Sequence, residues 1–331
     1  MTTSRPTVPA TGPIELPLSA ATATPAQRAT GIGLMLGGSV SNQAGAALGA
    51  MAFPAIGPVG VVAVRQLVTA IGLVPVVRPS LRGLSARDWR LILGLVLVFS
   101  VMNLSLYSAV ERIGLGLAVT LEFVGPLGVA IAASRRRIDL ACTLLAAVGV
   151  VVLTRPGPSS DLLGIGLALL AAAAWAAYIL LNRAVGQRLP GLQGTALASL
   201  VTAGVWIPIA VAWFATHPPT VGALALAAAC GLLSSVLPYA LDMAALRRVP
   251  ANVFGTLTSV NPAWAALAGW LMLGQVLDPA EWLGIGLIVG SNLIVSLGGL
   301  RGRRIAGPGR TGASRPRTPR TPRRRRSRQP S

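Results

Sequence analysis

Residues 109–137 read AVERIGLGLAVTLEFVGPLGVAIAASRRR, and this stretch decides the fold of the chain. Its centre, 114–134, is an apolar run close to the ~20 residues that a helix needs to cross ~30 Å of hydrocarbon. Arginines flank the run on both sides, with Arg112 before it and Arg135 directly after it. The stretch therefore predicts a membrane-spanning helix.

Apolar runs of similar length recur on both sides of this stretch. Breaks at charged or Pro/Gly-rich segments give ten predicted spans: 31–52, 58–77, 91–109, 114–134, 138–154, 162–182, 191–214, 221–243, 252–274 and 281–300. Span 138–154 is short and span 191–214 contains Pro208, so eight or nine crossings stay open as alternatives. We favour ten crossings and expect an all-α, polytopic membrane protein.

The charge of the chain is concentrated at one end. Charged residues make up only 11% of the sequence, below the ~25% usual in globular domains, yet the net charge is +19. Residues 301–331 hold 12 of the 28 arginines and no acid. This distribution is typical of a membrane protein with a basic tail, so we expect no specific nucleic-acid partner.

Several classes of enzyme are excluded by missing residue types. The chain has no Lys, one His and two Cys. A phosphate-binding lysine, Schiff-base chemistry, a zinc cluster and a disulfide framework are all excluded. We expect no enzyme, no metal and no cofactor.

The arginines also predict the orientation of the spans. If the N-terminus is inside, 25 of the 28 arginines fall on the inner side, two on the outer side, and Arg65 lies within a span. Short cytoplasmic loops collect arginine in this way. The pattern predicts a multi-pass membrane protein with both termini in the cytoplasm.

The sequence contains an internal repeat. Ala109–Gly114 leads into a span that carries Pro126, and Ala245–Pro250 leads into one that carries Pro262; both matches have an offset of 136 residues. A repeat of five helices, an odd number, requires two halves of opposite orientation. Inverted repeats of this kind are typical of secondary transporters that work by alternating access.

These boundaries divide the chain into four parts. We predict a disordered N-terminal segment at 1–30, a first five-helix repeat at 31–155, a second at 162–300 and a disordered Arg-rich cytoplasmic tail at 301–331. The tail is too rich in Pro and Arg to form a core. Attraction to anionic lipid on the inner leaflet is one role for it. A contribution to topology or solubility alone is the other.

Three runs carry a resemblance to a known family. They are 111–140, 232–269 and the stretch FPAIGPVGVVAVRQ at 53–66. They resemble the EamA family of the drug/metabolite transporter superfamily, and most of all its threonine/homoserine exporter group. The resemblance covers nearly all of 31–300.

The resemblance implies a ten-helix inner-membrane exporter with a central cavity, which carries amino acids or similar small metabolites. A broader drug, nucleoside or sugar-type carrier of the same superfamily is an alternative. A membrane scaffold that recruits a partner through the basic tail is the alternative from outside transport. Because the chain has no ATPase motif, an ion gradient or the substrate gradient must drive transport.

Two charged residues lie deep within predicted spans. Glu122 is near the middle of the fourth span and Arg65 is near the middle of the second. A charge at such a position costs roughly 2.5–3.5 kcal/mol to insert, so it faces a partner or a wet cavity. The two residues either form a structural ion pair or border the cavity. We favour the cavity, where Glu122 would attract a substrate ammonium or a coupling proton and Arg65 a substrate carboxylate.

Other polar and aromatic residues share helix faces within the spans. The pairs with helical spacing are Asn103 with Tyr107, Trp175 with Tyr178, and Ser235 with Tyr239. Thr258 and Asn261 come just before Pro262, where freed backbone carbonyls can face substrate. We take all eight as candidates for the substrate site. Asp242 is instead assigned to the membrane interface, because two arginines follow it closely.

Removal of the tail distinguishes the carrier hypothesis from the scaffold hypothesis. We expect a chain truncated after residue 300 to keep its transport rate within about twofold, since the predicted spans do not include the tail. Loss of function in a truncated protein that still reaches the membrane would favour the scaffold. The measurement is flux in cells that express equal amounts of the two chains.

Overall fold

A computed structural model of the chain describes residues 24–132, 137–154, 161–189, 192–246, 248–249 and 257–305. Throughout these ranges the regular structure is helical, and the ranges contain no strand. The helices are α1 (Pro25–Met51), α2 (Phe53–Val77), α3 (Ala86–Ile113), α4 (Leu115–Glu122), α5 (Val124–Ala132), α6 (Arg137–Thr154), α7 (Leu162–Gly186), α8 (Gln193–Thr216), α9 (Val221–Gly231), a π-helical segment (Leu232–Val236), α10 (Leu237–Leu246), α11 (Asn261–Leu273) and α12 (Pro279–Ile305).

Each predicted span, over its described part, coincides with one of these helices or with consecutive ones. Six helical stretches of the described chain are long and apolar enough to cross a membrane: Phe53–Val77, Ala86–Ile113, Leu115–Ala132, Leu162–Gly186, Gln193–Thr216 and Val221–Ala245. Ala141–Thr154 and Pro279–Ile294 are shorter apolar helices. The prediction of an all-helical, multi-pass membrane protein is confirmed at this level.

The first helix begins earlier than its apolar run. Thr24 accepts a hydrogen bond from the backbone N–H of Gln27, and the Gln27 side chain accepts one from the backbone N–H of Thr24. This reciprocal capping box, with Pro25 in the first turn, starts the helix at Pro25. Residues 25–30, which the apolar pattern assigns to a disordered segment, are therefore helical.

Two of the predicted spans are interrupted. The span at 114–134 is divided at Phe123 into α4 and α5, and Pro126 in α5 has no N–H to offer the carbonyl four residues earlier. The span at 221–243 contains the π-helical segment Leu232–Val236, which Pro238 follows. Both features leave backbone carbonyls available to neighbouring groups.

The carbonyl of Leu233, within the π-helical segment, is bonded by another helix. The hydroxyl of Ser41 on α1 donates to it at 2.8 Å, and the hydroxyl of Ser234 donates back to the carbonyl of Asn42 at 2.7 Å. Gly45 allows this approach, since a side chain there would meet Ser234. The close fit of α1 against the π-helical segment follows from these bonds.

An ion pair at each end joins α3 to α7. Arg112 near the end of α3 pairs with Asp161 before α7 at 3.0 Å, and Asp88 near the start of α3 pairs with Arg188 after α7 at 2.5 Å. The two helices are therefore antiparallel.

Helix α5 packs against α7 through a glycine. A side chain on Gly125 would overlap the backbone carbonyl of Ala172. Gly128, on the same helix, has open space around it. The two glycines form a matched pair for testing this contact.

We expect Gly125→Ala to destabilise the protein by about 1–3 kcal/mol, because the added methyl group forces α5 away from α7. Gly128→Ala is the control and is expected to be neutral or mildly stabilising. Thermal unfolding of the purified protein in detergent measures both effects. Equal stability of the two variants would contradict the close contact.

The ion pair of Asp161 makes a pH-dependent contribution. The N–H of Gly164 and the guanidinium of Arg112 hold the pKa of the Asp161 carboxyl below its usual value. A lowered pKa stabilises the folded state above the unfolded-state value of about 3.9, and this stabilisation is lost as the pH falls through the folded-state pKa.

The wild-type protein is therefore expected to have a slightly higher melting temperature than Asp161→Asn near pH 6. The difference should disappear as the pH falls below about 4. Asn keeps the helix cap, so the comparison isolates the charge. Melting temperatures recorded across this pH range are the measurement, and a difference that grows on acidification would contradict the assignment.

Candidate substrate cavity

A cavity of about 480 Å³ lies between the helices. This volume is within the ~300–1,000 Å³ typical of small-molecule sites. Its lining comes from α1, α2, α3, α4, α5 and α7, and from the π-helical segment, α10 and α11. Both predicted repeats therefore contribute to it.

All ten residues that the sequence singles out lie on the lining of this one cavity. They are Arg65, Asn103, Tyr107, Glu122, Trp175, Tyr178, Ser235, Tyr239, Thr258 and Asn261. Their common location is a finding of the structure. Their contact with a substrate stays a prediction.

Glu122 reaches the cavity from the end of α4. Its side chain is buried, with 6% of the residue exposed. Among the described residues it has no hydrogen-bond or ion-pair partner, and Arg65 is not within ion-pair distance of it. The alternative of a direct structural ion pair between Glu122 and Arg65 is therefore not the arrangement in the structure.

Arg65 is held by the π-helical segment and its surroundings. Its Nε donates to the hydroxyl of Ser235 at 3.1 Å, and its Nη2 donates to the carbonyl of Ser234 at 3.2 Å. Because Pro238 has no N–H, the Ser234 carbonyl lacks its usual partner four residues later in the helix. A guanidinium has five N–H groups, so these two bonds leave it further donors.

Tyr107 positions the same guanidinium from α3. The carbon at the centre of the Arg65 guanidinium lies 5.2 Å from the centre of the Tyr107 ring, within the range of a cation–π contact. The Tyr107 hydroxyl bonds the thiol of Cys230 at 3.0 Å. Cys230 thus holds a cavity residue in place.

One wall of the cavity is formed by two aromatic pairs. The rings of Phe123 and Trp175 meet edge to face at 4.7 Å, and those of Phe99 and Tyr178 are 5.3 Å apart. Sequence reasoning did not select Phe99 or Phe123. A phenylalanine within an apolar span has no feature that separates cavity lining from lipid contact.

A second wall of the cavity is polar. Ser39, Asn42 and Gln43 line it from α1, and Ser234 and Ser235 line it from the π-helical segment. Ser39 and Ser234 carry no sequence signal, because hydroxyl side chains also bond within their own helix.

Asp242 lies on the cavity lining and not only at the membrane interface. The expected interface arginine Arg248 donates instead to the carbonyl of Ala244 at 2.6 Å. Asp242 faces Gly38, where an added side chain would meet its carboxylate oxygen at 3.6 Å. Arg247 lies outside the described residues.

Asn261 carries a buried polar atom that is unsatisfied. Its Oδ1 has no hydrogen-bond partner among the described residues, and the side chain lines the cavity. An unpaired buried acceptor of this kind costs about 1–3 kcal/mol.

Apolar helices that enclose a polar, charged cavity define a multi-pass membrane transport protein. The EamA-like transporter family model matches residues 162–297. The threonine/homoserine exporter RhtA of Escherichia coli K12 is 36% identical over 267 residues, which cover 78% of this chain and 89% of that protein. The chain belongs to the EamA-like transporter family, and it is a transporter rather than an enzyme.

Further comparisons agree with this assignment. RhtA of Salmonella typhimurium LT2 is 37% identical over 257 residues, covering 76% of this chain and 86% of that protein. A solved crystal structure, 17% identical, superposes with a TM-score of 0.54 over 83% of this chain and 99% of its own. At this identity the superposition supports the fold alone.

Proposed function

We propose that the protein exports small neutral amino acids, threonine or homoserine among them, across the cell membrane by alternating access. The observation that carries the proposal is a buried carboxylate, Glu122, and a guanidinium, Arg65, on the lining of one cavity without an ion pair between them. The names of the relatives, threonine/homoserine exporters, support the substrate class.

The chemistry of an α-amino acid fits these two groups. Its ammonium pairs with Glu122 and its carboxylate with the free N–H groups of Arg65. Charge-assisted hydrogen bonds of this kind are stronger than neutral ones, especially away from water. The hydroxyl of threonine or homoserine would find partners on the polar wall, which includes Asn42 and Ser39.

The proposed topology is ten spans in two inverted repeats. The offset of 136 residues relates α1 to α7, α2 to α8, α3 to α9 and α10, and α6 to α12. Helix packing supports this relation: α3 packs on α7 as α10 packs on α1, while α2 packs on α8 and α6 packs on α12. Two halves related by a two-fold axis would give these matching contacts.

Both termini are proposed to be cytoplasmic, from the distribution of arginine. The domain division into 31–155 and 162–300 follows from the repeat. Residues 301–305, which the sequence assigns to the disordered tail, are the last residues of α12. Residues 1–23 and 306–331 lie outside the described residues, so their predicted disorder and the attraction of the tail to anionic lipid remain sequence predictions. The same holds for the absence of a specific nucleic-acid partner.

A proton is the proposed coupling ion, and Glu122 is its proposed carrier. The carboxylate lies on the substrate cavity, so substrate and proton would compete for it. Export of an amino acid in exchange for an entering proton follows from that competition.

Counterflow in liposomes tests the function. Wild type preloaded with threonine should accumulate labelled threonine or homoserine, and Glu122→Gln should lower the rate by at least about tenfold, since a charge-assisted bond contributes about 1.5–3 kcal/mol. Glu111→Gln, which removes an exposed carboxylate at the end of α3, is the control. An acidic exterior should accelerate wild-type export.

Three results would contradict parts of this proposal. If nucleosides or drugs gave counterflow while threonine and homoserine gave none, the broader carrier would replace the amino acid exporter. Unchanged export by a folded Glu122→Gln variant into an acidic exterior would remove the coupling role of Glu122. No flux of any solute would favour the scaffold.

A further inference from the structure

The two walls of the cavity differ in chemistry. The wall formed by α3, α5 and α7, with the α4–α5 break, presents aromatic rings, of which Phe123, Trp175 and Tyr178 are examples. The wall formed by α1 and the π-helical segment presents hydroxyl and amide groups, including Ser39 and Asn42. A solute in this cavity can contact both hydrocarbon and hydrogen-bonding groups.

The aromatic and the polar lining residues occupy positions that are equivalent in the proposed repeat. At an offset of 136 residues, Trp175 corresponds to Ser39 and Tyr178 corresponds to Asn42. Phe99 on the aromatic wall likewise corresponds to a serine, Ser235, on the polar wall. The exchange is reversed at Asn103 on α3, which corresponds to Tyr239 on α10. The two halves thus differ in side-chain chemistry at these four pairs of lining positions, which points to substrate contact as the reason.

The aromatic rings hold each other in fixed orientations. The edge-to-face contact of Phe123 with Trp175, at 4.7 Å, and the contact of Phe99 with Tyr178, at 5.3 Å, place four rings on the lining in two pairs, which together form an apolar surface. Pairs at these separations are mutually stabilised, so the surface is preformed. A preformed apolar wall favours a ligand that has its own apolar surface.

The volume points in the same direction. A cavity of about 480 Å³ lies in the range that accepts drug-sized molecules, which are much larger than threonine. Threonine would leave much of the aromatic wall without a contact. A longer apolar side chain would cover it while the ammonium and carboxylate kept their partners.

We propose that the carrier also transports neutral amino acids with bulky apolar side chains, branched aliphatic or aromatic, and binds those side chains on the wall formed by Phe99, Phe123, Trp175 and Tyr178. This inference rests on the proposed function, because it takes Glu122 and Arg65 as the partners of the ammonium and carboxylate. It goes beyond the substrates in the names of the relatives.

Trans-stimulation in liposomes tests the inference, because only a transported compound stimulates. Liposomes are preloaded with unlabelled leucine, phenylalanine, asparagine or threonine, and the entry of labelled threonine is followed. Leucine and phenylalanine should stimulate at least as strongly as threonine. Asparagine is similar in size to leucine but polar. Its stimulation should be about tenfold weaker than that of leucine, because contacts in an apolar pocket contribute about this factor.

A wall variant gives a second measurement. Trp175→Ser copies the serine of the equivalent position, and the ratio of phenylalanine to threonine stimulation should fall about fivefold to tenfold. Trp270→Ser is the matched control, since Trp270 on α11 is 54% exposed and is not on the cavity lining. Its ratio should equal that of wild type.

The outcomes separate this inference from the proposed function. Threonine counterflow without stimulation by leucine or phenylalanine would overturn the inference and leave the proposed function intact. Stimulation by asparagine equal to that by leucine would also overturn it. No counterflow with any amino acid would overturn both.

Discussion

The structure depends on the cost of holding charge within the hydrocarbon layer. Glu122 and Arg65 lie on membrane-spanning helices, and each would be expensive to bury without solvation or partners. The cavity lowers this cost for Glu122, because the carboxylate faces the cavity and has no protein partner among the described residues. For Arg65 the cost is lowered by hydrogen bonds to Ser234 and Ser235 and by contact with the ring of Tyr107. A chain that keeps both charges must keep a wet cavity between its helices.

Interrupted helices supply the partners that these charges need. Irregular backbone is tolerated at membrane depth only where protein or water covers it. The π-helical segment and Pro238 expose the carbonyls of Leu233 and Ser234, and Ser41 and Arg65 bond them. The break at Phe123 puts Glu122 at a helix end beside the same cavity. Structural breaks and functional candidates therefore occur together.

The sequence predicts cavity residues best where the side chain is costly to place in contact with lipid. Charges and amides within apolar spans must face the interior, and Arg65, Glu122, Asn103 and Asn261 all lie on one cavity. It failed for Phe99 and Phe123, because an aromatic ring costs nothing against lipid and gives no signal. Asp242 was assigned from its arginine neighbours, whereas helix orientation turns it to the cavity. The start of α1 depended on the Thr24 capping box, which an apolar pattern does not detect.

The central claim is that a substrate zwitterion lies between Glu122 and Arg65. A structure of the purified carrier with bound threonine tests it most directly. We expect threonine in the cavity, with its ammonium within hydrogen-bond distance of the Glu122 carboxylate and its carboxylate against the Arg65 guanidinium. Threonine bound elsewhere, or bound in the cavity without contact to either charge, would contradict the account.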